Sequence, residues 1–156
     1  MEVNYFGCLH FIRHSAAAMT SGGSIILFSS LAAAQPMEFV YAYGCAKAAT
    51  DSLVRYAAIE YGPKGIKVNS ILPGPIRSDM ASALWKVEGM EDVYAREIPL
   101  RRIGEPEDYA EAALWLAGPS FVSGLNLHVS GGNQLTRMPT LAERPDMVGP
   151  DPTNAA

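Results

Sequence analysis

The chain has 156 residues, 49% apolar and 18% charged, a balance that allows a buried core and one domain. A net charge of −4, with no basic run longer than Arg101-Arg102, argues against nucleic acid or an anionic membrane surface as a partner. No apolar stretch approaches the ~20 residues that span a bilayer. Glu2, His10, Arg13 and His14 break up any basic-then-apolar leader, so a cytoplasmic protein is expected.

In chain order, Phe6, Leu9, Ile12, Ala16 and Met19 recur at spacings of three and four, which predicts an amphipathic helix over 5–19, ended by Ser21-Gly22-Gly23. Residues 24–29 are a continuous apolar run with two adjacent β-branched residues, Ile25 and Ile26. Such a run fits a strand buried on both faces of a parallel sheet. A loop with Pro36 leads to a long helix over 40–61, closed by Gly62-Pro63. A second strand, 66–72, breaks at Pro73-Gly74-Pro75. Residues 79–103 read as two helical pieces around Gly89 and as a lid rather than core, with Met80, Leu84, Trp85, Val87 and Met90 as apolar side chains. Glu105-Pro106-Glu107-Asp108 opens another helix, with Pro in its first turn and acids at the positive end of its dipole. Residues 125–129 form a third strand before Gly131-Gly132. Beyond Gln134 periodicity fades, so the domain is expected over 1–136 and a flexible tail over 137–156. Strands alternating with long helices imply an open α/β sheet with helices on both faces.

Cys8 and Cys45 fall in expected helices and read as reduced thiols rather than a disulfide framework. His10, His14 and His128 offer no ligand spacing beyond one i,i+4 pair, so no metal is expected. Chemistry concentrates elsewhere. Tyr43 and Lys47 are four residues apart on one helix, which puts them on one face with Cβ atoms about 5–6 Å apart. A neighbouring cation favours phenolate over phenol, and a Tyr so placed can act as a general acid or base. Tyr41 has no such partner, because the residue four beyond it is Cys45. Ser30, at the end of the first strand, puts a hydroxyl within reach of the same substrate oxygen. Tyr–Lys pairs also arise by chance on many helices, so the pair alone decides nothing.

Three further features accompany it: Asn4 at the head of the first helix, Pro73-Gly74-Pro75-Ile76-Arg77-Ser78 after the second strand, and Gly131-Gly132 after the third. In this order and at these spacings they resemble the carboxyl-terminal half of the classical short-chain dehydrogenases/reductases, over roughly residues 1–135. The resemblance implies a partial Rossmann-like doubly wound parallel sheet: the last three strands, with flanking helices, of a seven-stranded one. It implies NAD or NADP as cofactor, a small-molecule alcohol or ketone as substrate, and a homo-oligomer through helices 5–19 and 40–61. By position, Tyr43 would be the acid/base, Lys47 its partner and the holder of the nicotinamide ribose, and Ser30 the group that orients the substrate oxygen. Asn4 would anchor a water in the proton relay; equally, Asn4 could cap its helix and Ser30 could merely end a strand. Pro73, Gly74, Ile76 and Ser78 would hold the nicotinamide, while Met80 and Trp85 would wall the substrate or simply pack the lid. Ser78 and Ser130 depart from the commoner Thr and Asp. The Gly-rich strand-to-helix turn that cradles a pyrophosphate does not occur in the sequence, so the chain alone is expected to bind a dinucleotide poorly, and an assembly role without catalysis is the alternative.

Overall fold

Three short segments of high apolar content set the architecture of this computed structural model, which describes residues 1–146. The strands β1 (Gly23–Phe28), β2 (Ile66–Pro73) and β3 (Asn126–Val129) pair in parallel in the order β1-β2-β3. Ile25 lies opposite Val68 and Leu72 opposite His128. The helices are α1 (Gly7–Ala18), α2 (Tyr41–Tyr61), α3 (Ser82–Trp85), α4 (Met90–Ala95) and α5 (Pro106–Ala117). The expected α/β half-sheet is therefore present. No helix among the described residues is long and apolar enough to cross a membrane.

The period-two alternation of strands sorts the core into two layers. Ile25, Leu27, Ile66 and Val68 pack with Ile12 and Ala16 of α1 and with Val54 and Ala57 of α2. On the opposite face Ile71 meets Tyr109 and Leu116 of α5, with Ile26, Leu127 and Val129 half-buried beside them. β2, with neighbours on both sides, is buried along most of its length. β1 differs from the expectation of a strand buried throughout: it is an edge strand here, and Phe28 is half exposed.

Of the segment expected to be a lid, residues 79–89 lie at the surface, none of them buried. Its second half is core, with Met90, Val93, Ile98 and Ile103 buried. Gly131 and Gly132 make this packing possible, since both have positive φ and a Cβ on either would stand within 2.8 Å of Ile98 or Pro99. Of the expected tail, residues 137–146 carry contacts to the body: Arg137 pairs with Glu97 and Glu143, and Leu141 N donates to Glu38. The remainder, 147–156, lies outside the described residues.

Two polar side chains, Lys67 half-buried and Asn69 buried, brace the amino-terminal half of β2. Lys67 Nζ donates to the carbonyls of Leu116 and Gly118, meeting the negative end of the α5 dipole. Asn69, fully buried, donates to Val122 O at 3.0 Å and accepts from Leu125 N at 3.0 Å, which fixes the loop that delivers β3. Asn69→Ala strands both backbone groups and should cost about 2–4 kcal/mol. A urea midpoint lowered at constant slope is the expected measurement; an unchanged midpoint would show that water replaces the amide without loss.

Candidate active site

The site grows from the carboxyl end of β1. Ser29 N still donates to Ile71 O at 2.8 Å, so the ladder extends one residue past the strand. Ser30 is extended, and its Oγ accepts from Ala32 N at 3.1 Å, capping a single 3₁₀ turn over Leu31–Ala33. That bond uses the oxygen as acceptor and leaves the hydroxyl proton available to donate.

The amino-terminal end of α2 is pressed onto this turn. Gly44 lets it happen: a Cβ there would lie 2.8 Å from Ala32 O. Tyr43, in the first turn of α2, is 38% exposed and stands next to that contact. One turn on, Lys47 is 9% exposed, with Nζ 5.7 Å from the centre of the Tyr43 ring and 2.8 Å from Phe28 O, to which it donates. The lysine thus spans from α2 to the end of β1, and an ammonium with three donors keeps two for other acceptors. Ser30, Tyr43 and Lys47 are brought together at one end of the sheet.

Asn4 arrives by a different route. Residues Glu2–Phe6 form a wide π-type turn closed by Gly7 N to Glu2 O, and Met1 rather than Asn4 occupies the cap position. No side-chain capping bond forms, so the capping alternative is not realised. The Asn4 carbonyl instead accepts from Thr50 Oγ1 at 2.6 Å, and Thr50 lies on the buried stripe of α2 between Lys47 and Asp51.

The turn after β2 sits beside β3. Gly74 N donates to Val129 O at 3.2 Å, and a Cβ on Gly74 would lie 2.8 Å from Ser130 Cβ. Ile76 forms an isolated bridge with Gly104, in which the partners are Arg77 N with Gly104 O and Gly104 N with Pro75 O, so the N–H and C=O of Ile76 itself take no part. The Ile76 carbonyl accepts from Trp85 Nε1 at 2.8 Å. Trp85 also meets the Tyr94 ring edge-on at 5.4 Å, so two contacts hold its indole. Ser78 Oγ caps the following turn through Ala81 N, and Met80 is 96% exposed. Arg77 forks between Glu91 of α4 and Glu105 at the start of α5, holding the Glu91 carboxyl below the usual carboxylate range.

Sequence reasoning missed Gly44 and Gly74 as close-approach residues, although a glycine inside a helical pattern was itself a signal. It also missed Asp51, a buried acid one turn beyond Lys47. Burial pushes its carboxyl up; the Ser29 hydroxyl, His128, Arg55 and Lys47 oppose that, in falling order.

The donors present suit the nicotinamide end of a dinucleotide. Lys47 keeps two N–H donors beyond the one given to Phe28 O, beside Tyr43, and the Ile76 N–H takes no part in the bridge at the end of β2. Gly44→Val should push α2 off the 31–33 turn and separate Tyr43 from Ser30. The expected cost is about 1–3 kcal/mol of stability, typical of overpacking. Chemical denaturation checks it, and a stability equal to the native chain would contradict the close approach.

A family model described as enoyl-(acyl carrier protein) reductase matches residues 1–134. The 7α-hydroxysteroid dehydrogenase of Escherichia coli K12 is 39% identical over 135 residues, covering 84% of this chain and 52% of the relative. Among solved structures, a short-chain type dehydrogenase/reductase from Mycobacterium ulcerans matches with a TM-score of 0.86 at 38% identity, over 93% of this chain and 54% of its own. A 7α-hydroxysteroid dehydrogenase complexed with NADH and 7-oxo glycochenodeoxycholic acid matches with a TM-score of 0.77 at 38% identity, over 83% of this chain and 52% of its own. The chain spans about half the length, or less, of the curated relatives it matches. Agreement in sequence and in fold across that half leaves one conclusion: the chain belongs to the short-chain dehydrogenase/reductase family.

Proposed function

We propose that residues 1–136 are the catalytic part of an NAD(P)-dependent oxidoreductase that interconverts a secondary alcohol and a ketone. The observation that carries this reading is the Lys47 ammonium, held by Phe28 O against the face of Tyr43 beside the turn that Ser30 caps. The relative bound to NADH and a 7-oxo bile acid supports the reaction class.

The nicotinamide, when bound, supplies or accepts the hydride. The remaining steps belong to this chain. Ser30 donates a hydrogen bond from its hydroxyl to the substrate oxygen and keeps its proton, fixing the carbonyl. Tyr43 gives its phenolic proton to that oxygen as the carbonyl carbon is reduced, and takes it back in the reverse direction. Lys47 stabilises the phenolate left behind and holds ribose hydroxyls with the donors that Phe28 O does not use. Asn4, one bond from α2 through Thr50, holds a water behind Lys47 through which the proton is replaced. Pro73, Gly74, Ile76 and Ser78 line the nicotinamide side, and Trp85 walls the substrate. Met80, exposed in this arrangement, comes to the substrate only if the outer lid folds inward.

Phe11 of α1 and Tyr56 and Ile59 of α2 are exposed apolar side chains. They support assembly with a second copy through these two helices, the homo-oligomer that helices 5–19 and 40–61 suggest. The pyrophosphate and adenosine would rest on a Gly-rich segment outside residues 1–156.

In the protein that joins residues 1–156 to such a segment, Tyr43→Phe keeps the ring and removes the transferable proton. Turnover should fall by at least ~10²-fold, the usual loss of a general acid, and Lys47→Met should be comparably damaging. Near-native kcat in the Phe variant would place the proton donor elsewhere. Trp85→Ala should alter which ketones are accepted while sparing the smallest; an identical substrate profile would remove Trp85 from the pocket.

A further inference from the structure

Residues 133–146 join two stretches of chain that border the site. One is the loop 34–40, which runs from the turn capped by Ser30 to the start of α2 and belongs to no helix or strand. Gln35 Nε2 donates to Thr136 O at 2.8 Å and to Asn133 O at 3.2 Å, and Glu38 Oε2 accepts from Leu141 N at 2.7 Å. The other is the stretch that follows α4. Asn133, 1% exposed, donates from Nδ2 to Glu97 O at 3.3 Å and to Arg137 O at 3.0 Å. Arg137 donates to Glu97 Oε1 at 2.9 Å and forks onto both carboxylate oxygens of Glu143 at 2.7 Å. Further along, Pro145 stands beside Gly89, where a Cβ would lie 3.6 Å from the proline Cγ.

The loop needs support from outside itself. Phe39 has φ 60°, a conformation that a bulky side chain seldom adopts, and such strain persists only where neighbouring structure holds it. A single exposed ion pair would add little. Here the bonds form one connected set. The Glu97 side chain is only 17% exposed, and Glu143 Oε2 accepts from Thr140 N and Oγ1 as well, both at 2.9 Å. That capping box closes a 3₁₀ turn over Leu141–Glu143, which presents the Leu141 N–H to Glu38. Buried Asn133 anchors the set at its start.

We propose that residues 133–146 are a strap that sets the substrate range of this site, resting on the function proposed above: tied to Glu97 on one side and to Gln35 and Glu38 on the other, the strap holds the loop between Ser30 and Tyr43 at a fixed distance from the 79–103 segment, and so limits the bulk of the ketone that reaches Tyr43. Arg137 is its positioning residue, because its guanidinium joins Glu97 on the body to Glu143 in the turn that carries Leu141. Arg137 acts through the loop and not on the reacting atoms.

Amide hydrogen exchange of the full chain, followed by mass spectrometry, tests the strap without any catalysis. In Arg137→Ala, peptides covering 34–40 and 89–98 should exchange about 3- to 5-fold faster, the scale of a partly covered ion pair, while β2 keeps its native rate. Arg137→Lys keeps the charge without the fork and should fall between the two. Glu38→Ala, at an exposed position, cuts only the loop side and should speed 34–40 but not 89–98. Native exchange of 34–40 in Arg137→Ala would overturn the proposal, and so would faster exchange that extends to β2, the mark of a general loss of stability. If Arg137→Ala does not fold, native exchange of 34–40 in Glu38→Ala overturns it. In the active protein, Arg137→Ala should raise kcat/KM for a bulky ketone relative to the smallest one by about 2- to 5-fold, the most that such contacts can supply; a native ratio would overturn the proposal. Tyr43→Phe run alongside separates the two ideas: a dead Tyr43→Phe with native exchange and a native ratio in Arg137→Ala ends this inference alone, whereas an active Tyr43→Phe ends the functional reading.

Discussion

The hydrogen bond from Lys47 Nζ to Phe28 O joins the two elements on which everything else at the site depends. It ties the first turns of α2 to the carboxyl end of β1, and it does so with a side chain that is almost wholly buried. A buried ammonium needs compensation, and the main-chain carbonyl provides one part of it. The Tyr43 ring, 5.7 Å away, provides another through its electron-rich face. Placing the lysine in this way fixes the tyrosine as well, since both ride on one helix.

Small residues control the distances. Gly44 brings α2 onto the turn that follows Ser30, and Gly74 brings the end of β2 onto Ser130. Gly131 and Gly132 do the same for the segment around Ile98 and Pro99. An added methyl group would meet main chain at Gly44 and the side chains of Ser130, Ile98 and Pro99 at the others, so these close approaches depend on the missing side chains. The second half of the 79–103 segment is packed as core for this reason, and Arg77 clips its base to α4 and α5. Those ion pairs are exposed and weakened by solvent, so the apolar burial of Met90, Val93, Ile98 and Ile103 is the larger hold.

The elements themselves were legible in the sequence. Apolar periodicity located α1, α2, α5 and all three strands to within one or two residues, because each buries a face wide enough to impose its period. The boundaries of burial were less legible. The run 24–29 looked like a central strand, yet it lies at the edge, since a local apolar run does not reveal how many neighbours it has. Residues 79–103 looked peripheral because Gly89 and scattered polar residues interrupt the pattern, while their core contacts come from distant glycines. Tyr43, Lys47 and Ser30 could be picked out by spacing on α2 and by position at a strand end. The bonds from Asn126 to the Asp51 carbonyl and from Ser70 to Asn126 could not: they join α2, β3 and β2, and no spacing along the chain encodes that convergence.

The most direct test of the account is hydride transfer itself. The protein joining residues 1–156 to a Gly-rich dinucleotide-binding segment would be incubated with a ketone and reduced nicotinamide dinucleotide carrying two deuterium atoms at C4 of the ring, and the alcohol examined by mass spectrometry and NMR. One deuterium is expected on the carbinol carbon. Oxidation of the dinucleotide without label in the alcohol, or no reduction of any ketone by a folded protein that binds the dinucleotide, would contradict it.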